Sequence, residues 1–179
     1  CSTCHGARYN DKTLEIRYRG RNIAEVLQMR VDEAAEFFED EPPVRRSLEV
    51  LRQVGLGYLR LGQPATELSG GEAQRIKLAS ELQRAPRGNT LYILDEPTTG
   101  LHPSDVDKLI TQLDGLVDAG NTVIVVEHDM RVVACGDWVL DMGPGAGEEG
   151  GRVVMSGTPA DAARSAKGHT ARYLARFLG

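Results

Sequence analysis

Three short segments of the chain carry side chains that could act on a bound phosphate or a metal ion. They are the run Ser69, Gly70, Gly71 and Glu72, the carboxylate pair Asp95 and Glu96, and the single residue His128. The last two segments each follow an apolar run, LYIL at 91–94 and TVIVV at 122–126. Such positions, just past the carboxyl ends of strands, are where α/β proteins bind their ligands.

The carboxylate pair suits metal-assisted chemistry on a phosphate. Asp95 can hold Mg²⁺ directly or through water, since this ion prefers carboxylate oxygens and keeps several waters. Glu96, the next residue, points to the other side of the chain and could polarise an attacking water. The same Asp-Glu-Pro sequence also suits a simple connection from a strand to a turn. Taken alone, the three residues leave both interpretations open.

His128 follows the second apolar run. An imidazole at this position could donate a hydrogen bond to a γ-phosphate or orient the attacking water. A histidine at the end of a strand can equally serve only to bond the backbone, and the local sequence does not separate the two roles.

The serine–glycine run predicts the start of a helix. Ser69 and Glu72 match the capping box, in which each side chain satisfies an otherwise unpaired backbone N–H. Gly70 and Gly71 would also let a phosphate approach the N–H groups at the helix start. The two interpretations are compatible. The chain contains no phosphate-binding loop of the form GxxxxGK[ST].

The surrounding pattern predicts the elements that must position these side chains. Strands are expected at 91–94, 122–126, 138–142 and 152–155, and a helix with Leu109, Leu113 and Leu116 on one face is expected at 103–119. The fully apolar runs are typical of parallel strands buried on both faces. The helix after Ser69 is expected to bury Ile76, Ala79 and Leu82.

The earlier part of the chain predicts mainly helices. They are expected at 22–29, 32–39 and 44–54, with Asn22 and Asp32 as caps, and the alternation in TLEIRY predicts a strand at 13–18. We therefore divide the chain into residues 1–10, which carry Cys1 and Cys4, an α-rich part at 11–65, and a layered α/β part at 66–179.

Composition narrows the function classes. A net charge of −5 argues against a wholly basic nucleic-acid-binding module, although it allows a local basic stripe. No apolar run approaches the roughly 20 residues of a membrane span. An odd number of cysteines, three, favours a reducing cytoplasm over a disulfide framework. Cys135, among apolar residues, is expected to be a small buried side chain.

The order of the motifs is more specific than any one of them. LSGGE, then LYILDEP, then an apolar strand ending in histidine resembles the second half of an ABC-type ATPase. The resemblance implies ATP and Mg²⁺ as ligands and assigns a role to each motif. Ser69, Gly70, Gly71 and Glu72 would form the signature motif, with Ser69 and the two glycines contacting a γ-phosphate. Asp95 would bind Mg²⁺, Glu96 would be the catalytic base and His128 the switch histidine. Gly100, Leu101 and His102 would lie in the D-loop, although TGLH departs from the commoner form of that loop in transporters.

The flanking segments narrow the resemblance. CSTCHGARYN, VGLGYLRLGQPATELSGGEAQRIKLASEL, LYILDEPTTGLHPSD and VVEHDM together are similar to the C-terminal part of the second ATPase half of the UvrA family of bacterial excision-repair proteins. The fold implied is an ABC-type P-loop NTPase subdomain with a layered, mostly parallel sheet. It would follow a small α-rich signature subdomain and half of a zinc module, in which Cys1 and Cys4 would supply two of four Zn²⁺ ligands.

The resemblance also implies partners. They are damaged duplex DNA, the loading partner UvrB and a second copy of the same protein, in the cytoplasm and without a membrane. A basic run is a candidate for contact with the DNA backbone: Arg8, Lys12, Arg17, Arg19 and Arg21.

Three alternatives remain. A UvrA-like drug-resistance paralogue would share nearly all these motifs. The nucleotide-binding subunit of an exporter would lack the cysteine pair, so CSTCHGARYN counts against it. The absence of a GxxxxGK[ST] loop favours a pure binding module for this chain, which we expect not to hydrolyse ATP alone.

Overall fold

The chain divides into two compact units. They are Cys1–Gly88, the first unit, and Asn89–Gly179, the second unit. The computed structural model describes residues 8–84, 89–143, 145, 150–165 and 169–179. The helix that follows Ser69 belongs to the first unit, whereas our sequence-based division placed it with the later strands.

The first unit is built from helices. They are α1 (Asp11–Leu14), α2 (Ile23–Gln28), α3 (Val31–Phe37), α4 (Pro42–Gln53) and α5 (Gly70–Leu82), with a short 3-10 turn at Ala65–Glu67 before α5. The core of this unit is formed by buried aliphatic side chains: Val26, Val31, Ala34, Leu48, Val54, Leu56, Leu59 and Leu78. The predicted helices at 22–29, 32–39 and 44–54 are confirmed to within two residues.

The predicted strand at 13–18 is wrong. Asn10 accepts a hydrogen bond from the backbone N–H of Thr13 and so caps α1, which takes up the start of the alternating stretch. The end of the alternating stretch leads into a tight turn. In this turn Arg19 and Gly20 adopt φ values of 46° and 80°, and Tyr18 exchanges two backbone hydrogen bonds with Arg21. A local cap and a turn outweigh the period-two pattern here.

The cap predicted at Asp32 is also wrong. Helix α3 begins at Val31, and Glu33 accepts the backbone N–H of Arg30 at 2.9 Å. Asp32 lies inside the first turn and instead accepts a 3.0 Å hydrogen bond from Arg52.

The second unit alternates helices and strands. Its elements are β1 (Leu91–Asp95), α6 (Pro103–Asp118), β2 (Thr122–Val126), α7 (Met130–Cys135), β3 (Val139–Met142), β4 (Val153–Gly157), α8 (Pro159–Arg164) and α9 (Thr170–Leu178). Strands β1 and β2 pair in parallel, with Leu91 opposite Thr122 and Asp95 opposite Val126. Helix α6 connects them and buries the predicted leucine stripe together with Val106.

Among the strands that the structure describes, only β1 and β2 pair in the expected parallel way. Strands β3 and β4 pair antiparallel. Only residues 143–152 separate them, and a parallel crossover needs a dozen or more residues. The expectation of two buried faces is wrong as well, since Leu91, Ile93, Ile124 and Val126 are exposed on one face of the β1–β2 pair. Cys135 is likewise exposed rather than buried.

Within the described part of the chain, no helix is both long and apolar enough to cross a membrane.

Candidate functional site

The parallel register of β1 and β2 brings Glu96 and His128 together. The backbone N–H of Glu96 donates to the carbonyl of Val126 at 2.8 Å, so the two strands end side by side. The Glu96 Oε1 atom then lies 3.7 Å from Nδ1 of His128, and both side chains are exposed, at 56% and 81%. A carboxylate and an imidazole at the carboxyl edge of a parallel sheet form an accessible pair that could face one ligand.

The backbone of Glu96 is strained. Its φ of 45° lies in the left-handed region, which residues other than glycine rarely adopt. A strain on the order of 1–3 kcal/mol persists only where the surrounding structure enforces it, and such residues cluster at functional sites. Pro97, which follows, is fully buried and anchors the turn. The sequence carried no signal of this conformation.

Asp95 is the last residue of β1 and is exposed. No group of three or more histidine, cysteine or acidic side chains capable of holding a metal exists among the described residues. One carboxylate is nevertheless compatible with Mg²⁺, because this ion is usually bound by one or two carboxylates together with waters and substrate phosphates.

Glu127, between β2 and His128, was missed by our sequence analysis. Its side chain is only 2% exposed. Its Oε1 accepts the backbone N–H of Thr98 at 3.0 Å and also the Thr98 hydroxyl, while its Oε2 accepts the backbone N–H groups of His128 and Asp129 at 2.9 and 3.2 Å. Burial would raise the pKa of this carboxyl, but the hydrogen bonds from Thr98, His128 and Asp129 outweigh it and hold the pKa below its usual value.

The predicted D-loop residues lie between β1 and α6. Gly100 has a φ of 77°, which the turn requires, and Leu101 is half-buried. His102 caps α6, since its Nδ1 accepts the backbone N–H of Ser104 at 3.3 Å. The imidazole therefore has a structural role here, and a nucleotide contact by these residues stays a prediction.

The signature segment lies in the first unit and begins α5. The predicted capping box is confirmed: the Ser69 hydroxyl accepts the backbone N–H of Glu72 at 3.2 Å, and Glu72 accepts that of Ser69 at 2.7 Å. Gly71 is buried, but a Cβ built on Gly70 would meet no atom within 4 Å. Packing therefore does not require glycine at position 70, which leaves room for a ligand to approach the backbone.

A second residue that we had not identified supports this helix start. The Tyr58 hydroxyl donates a 2.6 Å hydrogen bond to Oε1 of Glu72. This bond and the backbone N–H of Ser69 lower the pKa of Glu72, and the positive charge of the fully buried Arg75 acts in the same direction. Burial and the bond to Glu72 raise the pKa of Tyr58. The inward face of α5 is Gly71, Arg75, Leu78 and Ala79, so the predicted set of Ile76, Ala79 and Leu82 is right only for Ala79.

The remaining predicted site residues are Cys1 and Cys4, which lie outside the described residues.

Comparison with known proteins identifies the family. A family model described as ABC transporter matches residues 5–99, which is more than half of the 179 residues. The chain belongs to the ABC transporter family. Membership in this family confirms the ABC ATPase assignment, and the family implies ATP and Mg²⁺ as ligands.

The relatives of this ABC-family chain are named UvrABC system protein A. It is 58% identical over 178 residues to UvrABC system protein A of Aquifex aeolicus. It is 61% identical over 178 residues to UvrABC system protein A of Methanothermobacter thermautotrophicus. These alignments cover 99% of this chain but only 19% and 18% of the relatives, so the chain spans about a fifth of their length. The resemblance to UvrA indicated by the motifs is confirmed.

A solved structure of a UvrA-type protein has the same fold. The crystal structure of UvrA2 from Deinococcus radiodurans superimposes with a TM-score of 0.87 and 68% identity, covering 98% of this chain and 22% of that chain. The similarity confirms the ABC-type α/β fold.

Proposed function

We propose that this chain is the part of a UvrA-type DNA-repair ATPase that supplies one signature motif and one set of hydrolytic side chains. The observation that carries the proposal is the approach of Glu96 and His128 to 3.7 Å at the ends of two parallel strands. Two groups from separate segments, one of them on a strained backbone, are thereby presented to the same volume of solvent.

In this proposal each strand-end side chain has one task. The Glu96 carboxylate accepts a proton from the water whose oxygen attacks the γ-phosphorus, as the bond to the ADP oxygen breaks. His128, within reach of Glu96, donates a hydrogen bond to the γ-phosphate. Asp95 would hold Mg²⁺, which would neutralise charge on the phosphate oxygens.

The signature segment has a separate task. Ser69, Gly70 and Gly71 present a hydroxyl and the first N–H groups of α5, which suit the negative charge of a γ-phosphate. By the family resemblance this phosphate belongs to ATP held by another ABC domain. The complete protein would then work as a clamp closed by ATP. The same resemblance supports our proposal of a cytoplasmic homodimer that binds damaged DNA and loads UvrB.

The basic residues that are candidates for DNA contact differ in whether an acidic side chain already pairs with them. Arg17 pairs with Glu25 at 3.3 Å, and Arg19 pairs with Asp40 at 2.5 Å. Their charges are partly offset within the first unit. We therefore propose that Lys12, an exposed residue, contributes more to a DNA contact than Arg17 or Arg19. If Lys12 binds a DNA phosphate, Lys12→Ala should reduce the salt dependence of DNA binding by about one unit of slope.

The zinc assignment stays a proposal that rests on Cys1 and Cys4. Two thiolates are half of a four-ligand site. We expect the complete protein to contain zinc and to lose it when both cysteines are changed to serine, whereas the 179-residue chain binds zinc poorly. Metal analysis of both proteins checks this expectation.

ATP hydrolysis by the complete protein, with damaged and undamaged duplex, tests the proposed function. We expect the hydrolysis rate to respond to the damaged duplex, and we expect negligible hydrolysis by the 179-residue chain. Saturable ATPase activity from the 179 residues alone, or a complete protein indifferent to DNA, contradicts the proposal.

A UvrA-like drug-resistance paralogue is the second candidate. The motif resemblance supports this candidate too, since such a paralogue would share nearly all the motifs of this chain. Deletion of the gene should then raise sensitivity to DNA-binding drugs and leave sensitivity to ultraviolet light unchanged.

A further inference from the structure

Glu127 links the two loops that carry Glu96 and His128. Its Oε1 bonds Thr98, in the turn after β1, and its Oε2 bonds the backbone of His128 and Asp129, after β2. Thr98 and Glu127 are 29 positions apart in the sequence, so one carboxylate ties together segments that are distant along the chain.

We propose that Glu127 is a positioning residue for ATP hydrolysis, which holds the turn after Glu96 and the backbone of His128 in one fixed arrangement. The proposal rests on the proposed function, since it gives Glu127 a role only if Glu96 and His128 act on ATP. Glu127 itself touches no reacting atom in this scheme. Its effect on the reaction passes through His128 and through the turn that contains Thr98.

The hydrogen bonding of Glu127 disfavours a neutral substitute. The carboxylate accepts from four donors: two groups of Thr98 on one oxygen and two backbone N–H groups on the other. Glutamine has the same shape but replaces one acceptor oxygen with a donating NH₂ group. In either orientation that NH₂ group would face at least one backbone N–H, that of Thr98 or those of His128 and Asp129, and leave it without an acceptor in a buried site.

The strained backbone conformation of Glu96 requires contacts that hold its turn in place. A φ of 45° at Glu96 is retained only if neighbouring contacts hold the turn, and Thr98 lies in that same turn. The backbone N–H of Thr99 closes the turn on the carbonyl of Glu96 at 3.1 Å. The Thr98–Glu127 bonds connect this turn to the end of β2, where His128 stands.

The test is a double-mutant cycle in the complete protein, with ATP hydrolysis as the readout. We expect Glu127→Gln to lower kcat roughly 10- to 100-fold, the size expected from a displacement of about 1 Å, with little change in KM for ATP. In a His128→Ala background the same substitution should cause less further loss, because one of the two groups through which it acts is already absent. Wild-type kcat in Glu127→Gln, or the full loss repeated in the His128→Ala background, overturns the proposal.

A second pair of variants tests the proposal even if Glu127→Gln does not fold. Thr98→Val removes the hydroxyl donor, while Thr98→Ser keeps it. We expect Thr98→Val to lower kcat and Thr98→Ser to restore it, even if Glu127→Gln does not fold. Equal kcat in both variants overturns the proposal. Asp114→Asn, on the exposed face of α6, is the matched control for loss of one carboxylate and should keep wild-type kcat.

Glu96→Gln, measured alongside, separates this inference from the proposed function. If Glu96→Gln retains turnover, the proposed function itself fails. If Glu96→Gln abolishes turnover while Glu127→Gln does not lower it, only the role of Glu127 fails.

Discussion

Two segments differ in what holds their conformation. They are the signature segment, Ser69–Glu72, and the strand-end segment, which consists of Glu96 after β1 and of Glu127 and His128 after β2. At the start of α5 the capping box joins Ser69 to a residue three positions away, and a side chain would fit at Gly70. At the ends of β1 and β2 the backbone of Glu96 is strained, and the buried Glu127 must bind four donors from two loops. In our proposal the first segment only contacts a phosphate, and its conformation is set locally. The second segment would orient a base against a histidine, and its conformation depends on residues that are distant along the chain.

The largest effect should come from releasing the strain at Glu96. Glu96→Gly supplies a residue that adopts positive φ freely, so we expect the free energy of unfolding of the 179-residue chain to rise by about 1 kcal/mol. In the complete protein the same change should lower kcat by roughly 10² to 10⁴, the range for loss of a general base.

Urea unfolding and ATP hydrolysis measure the two effects. Glu36→Gly, at an exposed position in α3, is the matched control and should destabilise by about 0.5–1 kcal/mol. If Glu96→Gly destabilises as much as this control, the strand-end segment is not strained and the contrast with the signature segment disappears.

Gly70→Ala should separate folding from function in the signature segment. Because an added Cβ at Gly70 meets no atom, we expect unchanged stability or a gain of about 0.4–1 kcal/mol. In the complete protein the added methyl group should hinder phosphate approach and lower kcat roughly 10-fold, with a smaller effect on initial ATP binding.

Nucleotide-binding titration and steady-state hydrolysis distinguish these steps. Equal loss of binding and turnover in Gly70→Ala argues against a contact made only when the clamp closes.

Ser69→Ala should destabilise the first unit by about 1 kcal/mol, because it removes the cap of α5. Thermal unfolding of the 179-residue chain measures the loss. Ser80→Ala is the control, since Ser80 is an exposed serine within the same helix whose hydroxyl bonds the carbonyl of Ile76. Comparable stability of the two variants contradicts a local origin for the helix start.

The smallest effect should come from Tyr58→Phe, which removes one hydrogen bond to Glu72 and should cost about 0.5–1.5 kcal/mol at pH 7. The folded-state pKa of Glu72 is lowered, so its stabilisation is present above the ordinary carboxyl pKa of about 4.3 and is lost as pH falls through the folded-state pKa. The difference between wild type and Tyr58→Phe should therefore shrink as pH falls below about 4.3.

Urea unfolding at pH 7 and in acid checks this dependence. A difference that does not change with pH shows that the bond between Tyr58 and Glu72 is not coupled to the charge of the carboxylate.

The same contrast explains what the sequence could predict. The cap at Ser69, the existence of strands β1 and β2 and the leucine stripe of α6 all depend on residues close together along the chain, and all are confirmed. Glu127 and Tyr58 escaped notice because their importance comes from partners 29 and 14 positions away. The φ of Glu96 has no local signature, since glutamate does not favour that conformation.

The errors have equally physical causes. The alternation in TLEIRY competed with a cap at Asn10 and a turn at Arg19–Gly20, and the local hydrogen bonds prevailed. Strands β3 (VLDM) and β4 (VVMSG) are less apolar than the parallel pair, and the short connection between them also favours antiparallel pairing.

The most direct test of the strand-end site is ATP binding and ATP turnover measured side by side in the complete protein carrying Glu96→Gln. Glutamine keeps the size of the side chain but cannot accept the proton from water. We predict that turnover falls at least roughly 100-fold while ATP affinity is retained. Wild-type turnover, or loss of binding together with turnover, would contradict the assignment of Glu96 as the catalytic base.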